Sequence, residues 1–264
     1  MSNQTKLAKT ALITGASSGI GLEFARLFAR NRYNVVLLAR RQESLAELSK
    51  ELEDKHRIST KIIAKDLSNA SAPEEIYEEL RDSIRIDVLV NCGGFSVLGL
   101  FSEVDWSKER DMIQVNLTSL THLTLLFLRG MVGRRDGKIL NVASTAAFQP
   151  DPLMAVYYAT KAFVLSFSQA LAEEVRDKEV LVMALCPGPT RTGFQETADV
   201  QSSRLVKLGV MDAETVARIG YEGLMNNKRV VIPGLRNRML AFGVRIMPRN
   251  SVTRIVRRMN EREQ

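Results

Sequence analysis

Residues 10–21 read TALITGASSGIG, and this stretch decides the fold. Thr10 to Thr14 is a short apolar run with the composition of a buried strand. Gly15, Gly19 and Gly21 then mark a turn whose backbone must stay clear of side chains. Phe24, Leu27 and Phe28 follow at helical spacing. A strand, a tight turn and a helix in this order bring the free amides of a helix amino terminus beside glycines. A phosphate group fits there, along Ser17, Ser18, Gly19, Ile20 and Gly21. The same turn taken alone is also an ordinary strand-to-helix connection.

Working outward, the period repeats. Asn34 to Ala39 reads as a buried strand, Gln42 to Lys55 as an amphipathic helix and Lys61 to Lys65 as a third strand. Pro73–Asp82 and Ser107–Val132 read as helices, the second a single long one, with strands at Ile86–Asn91 and Lys138–Val142. Ala155–Arg176 is helical, Val180–Leu185 a strand, Asp212–Met225 a helix with an aspartate cap, and Arg229–Ile232 a last strand. Short apolar strands alternating with longer helices predict an α/β fold, a Rossmann-type doubly wound parallel sheet. Ligands bind such a sheet beyond the carboxyl ends of its strands. Gly15, Arg40, Asp66, Asn91, Ser144 and Pro187 each follow or end a strand, so the unusual residues gather on one edge.

With 264 residues, 45% of them hydrophobic, the chain suits one large domain, placed at 1–234, with a separate extension over 235–264. Cys92 and Cys186 are too few for a disulfide framework, and His56 and His122 stand alone, so neither a zinc site nor any other metal is expected. The amino terminus lacks an apolar signal segment, and no apolar run approaches membrane-spanning length. A reduced, cytoplasmic location is the expectation. The net charge of +7 is uneven: residues 228–264 carry ten Lys/Arg against two Asp/Glu, leaving the body nearly neutral.

Lys161 follows Tyr157 by four positions, so on a helix the ammonium and the phenol share a face. A free tyrosine titrates near about pH 10, and an adjacent positive charge lowers that value towards general acid/base work. Tyr158, three before Lys161, is a rival phenol. At the end of the second strand stand Arg40 and Arg41, where an NAD-preferring fold places an acidic residue. A guanidinium suits a 2′-phosphate, so the expected cofactor is NADP(H).

Together these residues resemble the short-chain dehydrogenase/reductase (SDR) family, over nearly the whole chain from Thr10 to about Ile232. Thr14 to Gly21 resembles its TGxxxGxG cofactor turn, Asp66 and Leu67 its adenine-contacting pair, and Asn91 to Gly94 its NNAG segment, with Cys92 and Gly93 as departures. Asn116, Ser144, Tyr157 and Lys161 match the catalytic tetrad in order and spacing, which selects Tyr157 over Tyr158. Pro187, Gly188, Thr190 and Thr192 resemble the segment that brackets nicotinamide and pyrophosphate. The resemblance implies a hydride transfer between NADP(H) and a carbonyl or alcohol. Tyr157 would be the acid/base, Ser144 the donor to the carbonyl oxygen, Lys161 the group that lowers the phenol pKa and binds ribose, and Asn116 a holder of the proton-relay water. It also implies a homodimer or homotetramer.

Phe95, Val97, Leu98, Phe101, Phe148, Pro150, Met154 and Phe194 lie in the least patterned segments, among them a substrate loop at about 193–212; they either pack against the sheet or line an apolar pocket that takes a small hydrophobic carbonyl or alcohol as substrate. In the extension, Val252, Ile255, Val256 and Met259 share a helical face with Arg254, Arg257, Arg258 and Arg262 on the others. Such a basic amphipathic helix roofs the pocket, joins a subunit contact, or touches a membrane surface or acyl carrier. Nucleic acid is not expected, since no recognition motif accompanies the charge. Two rival functions stay open at this point: a catalytically silent NADP(H)-binding regulator, and a protein that acts by docking through its tail.

Overall fold

A computed structural model describes residues 8–192, 210–248, 251–254 and 256. Strands β1 (Thr10–Thr14), β2 (Asn34–Ala39), β3 (Thr60–Ala64), β4 (Val88–Asn91), β5 (Gly137–Val142), β6 (Val180–Leu185) and β9 (Val230–Val231) form one parallel sheet in the order β3-β2-β1-β4-β5-β6-β9. The two-residue strands β7 (Thr190–Arg191) and β8 (Met211–Asp212) pair separately beside it.

The strands are apolar without interruption because both faces are covered, and successive residues serve opposite cores. Ala11 and Ile13 pack on one face with Phe24, Phe28, Leu45, Leu52, Val216 and Leu224. Those partners come from helices α1 (Gly19–Arg30), α2 (Gln42–His56) and α7 (Ala213–Met225). Leu12 packs on the other face with Ile76, Leu80, Leu123, Phe127 and Val182, drawing on α3 (Ala72–Leu80) and α5 (Leu120–Arg134). Each fully buried Leu, Ile or Phe contributes roughly 1.5–3 kcal/mol relative to exposure, so this double burial dominates the sheet's stability.

The expected long helix over 107–132 is broken. Helix α4 (Trp106–Ile113) passes into a π turn at Gln114–Ser119 before α5 begins, and Asn116 sits inside that turn. A π turn inserts one residue into the helical ladder and redirects the side chains around it. The helix α6 (Ala155–Glu174) carries Tyr157, Tyr158 and Lys161, all buried. Asp212 caps α7 by accepting from the Thr215 amide.

The extension, expected to be helical about Val252 and Val256, begins with a helix of its own. Helix α8 (Leu235–Ile246) stops at Met247, whose extended backbone precedes Pro248. Proline excludes the helical conformation from the residue before it. Helical backbone is found again at 251–254. Among the described residues no helix is long and apolar enough to cross a membrane, and no group of three His, Cys, Asp or Glu could hold a metal ion.

Candidate active site

The strand order reverses between β1 and β4, and there the carboxyl ends open into a cavity of about 880 Å³. Its floor is the glycine turn. A Cβ on Gly21 would lie 2.3 Å from the Gly15 carbonyl oxygen, and one on Gly15, where φ is +71°, would lie 3.0 Å from the Gly93 backbone. Two strand ends therefore close to backbone contact, and Thr14 locks them: its hydroxyl oxygen accepts from the amides of Cys92 at 2.9 Å and Gly93 at 2.8 Å. Ser18, at the amino-terminal cap of α1, makes no side-chain hydrogen bond to that helix. The first-turn amides thus face the cavity unclaimed by a cap, beside Ser17, Gly19 and Ile20 on its wall.

At one end Arg40, Arg41, Asp66 and Leu67 line the wall. Arg41 reaches back to the turn, its Nη2 donating to the Ser17 carbonyl at 3.1 Å and hydroxyl at 3.2 Å. Arg40 is 72% exposed and only 3.8 Å from Asp66 Oδ2, a loose pair that an anionic ligand displaces at little cost. The Asp66 carboxylate also accepts from the Ser68 amide, fixing the loop after β3.

Deeper in the same cavity lie Ser144, Tyr157 and Lys161. The Ser144 hydroxyl is held between the Ala146 amide and the Pro187 carbonyl, and hydrogen-bonds the Tyr157 phenol. Lys161 Nζ donates to the Val142 carbonyl at 2.9 Å and lies 5.8 Å from the centroid of the Tyr157 ring. Burial sets both titrations. The phenol is pushed up to about 12 by desolvation, against a smaller lowering by the Ser144 bond; the ammonium is brought down to about 8 by desolvation. The net shift at Tyr157 is therefore upward, opposite in sign to the lowering expected of an adjacent ammonium, because the dry surroundings of the hydroxyl outweigh what lowers it. Tyr158 also lines the cavity and meets Tyr157 edge-on, 5.9 Å between centroids.

Pro187, Gly188, Thr190 and Thr192 lie on the wall as well, with Gly93 opposite. Two expected residues do not. Asn91 is buried off the cavity, where its amide donates to Thr124 at 3.0 Å and Asn141 at 2.9 Å, and Asn141 continues to Ser168 at 3.0 Å. It braces β4 against β5 and the neighbouring helices. Asn116 also lies off the wall, its side chain accepting from the Phe95 amide at 3.1 Å and donating to the Phe95 carbonyl at 2.8 Å. That clamp fixes the loop after β4 next to Lys161: a Cβ on Gly94 would meet Asn116 Oδ1 at 2.8 Å and Lys161 Nζ at 3.6 Å.

Of the apolar residues expected around a substrate, Phe95 and Met154 face the cavity with Ala146, whereas Val97, Leu98, Phe101, Phe148 and Pro150 do not; Phe194, the loop 193–209, Ile255 and Met259 lie outside the described residues. The roof comes instead from the extension: Leu240, Ala241, Val244 and Met247, then Val252 and Val256, the last two buried. Asn237 was not anticipated. It packs where a Gly188 Cβ would be and donates to the Pro233 carbonyl at 2.7 Å, tying α8 to the segment after β6; its only sequence signal is the adjoining run of basic residues.

A profile described as short chain dehydrogenase matches residues 9–202. The chain belongs to that family. Among the relatives of this short-chain dehydrogenase, the very-long-chain 3-oxoacyl-CoA reductase-B of Danio rerio is 38% identical over 188 residues, 69% of this chain and 60% of the relative. The 17-beta-hydroxysteroid dehydrogenase type 3 of Mus musculus is 33% identical over 228 residues, 82% of this chain and 74% of that one. The matched region thus spans about 60% of the first relative's length. A solved short-chain dehydrogenase from Sphingobium yanoikuyae in complex with NADPH superposes with a TM-score of 0.82 at 33% identity, covering 90% of this chain and 93% of its own.

Proposed function

We propose that this short-chain dehydrogenase is an NADPH-dependent reductase of lipophilic ketones, in which Tyr157 supplies the proton. One observation carries the reading. A single cavity joins a glycine cradle and two guanidiniums at one end to Ser144, Tyr157 and Lys161 beneath an apolar roof at the other. The cradle fits a pyrophosphate, since side chains are excluded from it, and Arg40 and Arg41 stand where a 2′-phosphate needs charge. The similarity to a protein solved with NADPH supports the same cofactor.

Bound there, the nicotinamide supplies the hydride for the carbonyl carbon. The chain's residues do the rest. Ser144 donates a hydrogen bond to the substrate oxygen and stabilises negative charge as it develops. Tyr157, protonated at neutral pH, gives its proton to that oxygen. Lys161, charged below about pH 8, adds a positive field beside the phenol and donors for a ribose. Asn116, its amide committed to Phe95, positions the 94–95 backbone against Lys161.

The apolar roof from Leu240 to Val256 favours a long or bulky hydrophobic substrate, in keeping with relatives named for very-long-chain 3-oxoacyl-CoA and for 17-beta-hydroxysteroids. Oxidation of NADPH should be followed with long-chain 3-oxoacyl thioesters, steroid ketones and short polar carbonyl compounds. Turnover of at least one lipophilic class with NADPH, and little with short polar compounds, is the expected result. Turnover confined to polar sugars or short acids removes the substrate reading.

A further inference from the structure

Helix α8 carries two apolar faces. One looks into the cavity through Ala241 and Val244. The other looks outward. Leu235, Met239, Phe242 and Ile246 follow one another at intervals of four, three and four residues, which places them within one narrow sector of the helix. They are 73%, 66%, 66% and 74% exposed. An isolated apolar side chain on a surface needs no explanation, but an aligned stripe of four on one helix does.

Charge decides what covers the stripe. Arg236 borders it on one side, and Arg238 and Arg245 on the other. Residues 235–254 hold five arginines and no acidic residue. The spacing of the stripe would also serve as a seam between two copies of this chain. Such a pairing, however, sets arginine borders against arginine borders with no carboxylate on α8 to answer them. An anionic lipid surface accepts both features at once: the stripe enters the acyl boundary and the guanidiniums meet the headgroups.

We infer that α8 docks the protein on anionic membranes through Leu235, Met239, Phe242 and Ile246, with Arg236, Arg238 and Arg245 as the headgroup contacts. The helix then forms a wall shared by the bilayer and the cavity. Met239, Leu240 and Met247 are both exposed and part of the cavity lining, so the mouth of the cleft opens beside the lipid. A lipophilic molecule passes between the two without crossing water. Docking is independent of the chemistry in the cleft, and its readout needs no turnover.

The full chain should be sedimented with vesicles of phosphatidylcholine alone and of phosphatidylcholine mixed with phosphatidylserine, at low and at high salt. Binding is expected only to the mixed vesicles and should weaken as salt rises. The triple variant Leu235→Ser, Phe242→Ser, Ile246→Ser touches no cavity residue and should lose binding by about tenfold or more, with NADPH affinity and thermal midpoint unchanged. The pair Arg236→Gln, Arg245→Gln should weaken binding by a similar factor. Absence of vesicle binding by the native chain overturns the assignment, as does equal binding to both vesicle types. A native dimer in sedimentation that the triple variant converts to monomer assigns the stripe to a second copy and overturns it as well.

Discussion

The ammonium of Lys161 lies 5.8 Å from the ring centroid of Tyr157 while Nζ donates to the carbonyl of Val142 at 2.9 Å. The lysine is therefore anchored to the end of β5 rather than to the phenol hydroxyl. At this distance the cation attracts the ring face, and its field acts on any substrate oxygen beside the phenol.

The pH dependence of reduction follows from that arrangement. The phenol, pushed up to about 12 by burial, stays a competent acid throughout the neutral range. Lys161, lowered to about 8, loses its charge first as pH rises. The pH profile of kcat/KM for reduction should be level on the acid side and decline with a midpoint near 8. A profile that rises through that pH instead would show that the neutral amine is the active form.

The cofactor preference rests on the pair after β2. Arg40→Ala, which removes the more exposed guanidinium, should weaken NADPH binding by about tenfold or more and leave NADH binding nearly unchanged. Titration of both dinucleotides against the native and variant chains checks this. Equal native affinities would locate the discrimination elsewhere or nowhere.

The glycine turn is tested by Gly21→Ala. The new methyl group would stand 2.3 Å from the Gly15 carbonyl oxygen, a distance that forces the turn to open. A stability loss of roughly 1–3 kcal/mol together with a marked fall in dinucleotide affinity is expected, measured by denaturant unfolding and by titration. Unaltered affinity would mean that the turn does not cradle the ligand.

The brace under the site makes a prediction about folding alone. Asn141→Ala removes one of the two acceptors of the buried Asn91 amide, leaving Thr124, and takes from the Ser168 hydroxyl the donor it accepts from. Stability should fall by roughly 1–3 kcal/mol, with NADPH affinity changed far less.

The local chemistry that repeats with a period was legible before any coordinates. Thr10–Gly21 dictated strand, turn and helix because each step has its own residue types, and β1, β2 and β6 begin and end where their apolar runs do. Ser144, Tyr157 and Lys161 converge because strand end and helix face are both readable from spacing. What failed to show was tertiary. Nothing in QVNLTS marks a π turn, since an extra residue in a helical ladder leaves the apolar pattern almost intact. Asn91 looked like a ligand contact because it ends a strand on the right edge, but its side chain points between strands, an orientation set by its partners Thr124 and Asn141. The Tyr157 titration depends on how much water its neighbours exclude, a quantity absent from the spacing of Tyr157 and Lys161.

The central claim is that the Tyr157 hydroxyl supplies the proton, and the direct measurement compares the native chain with Tyr157→Phe in NADPH oxidation by a lipophilic ketone, with NADPH affinity determined on both. Loss of roughly 10²–10⁴-fold in kcat at unchanged NADPH affinity is the predicted result. Native turnover in the variant would contradict the account, because the ring would remain in place and only the proton source would be gone.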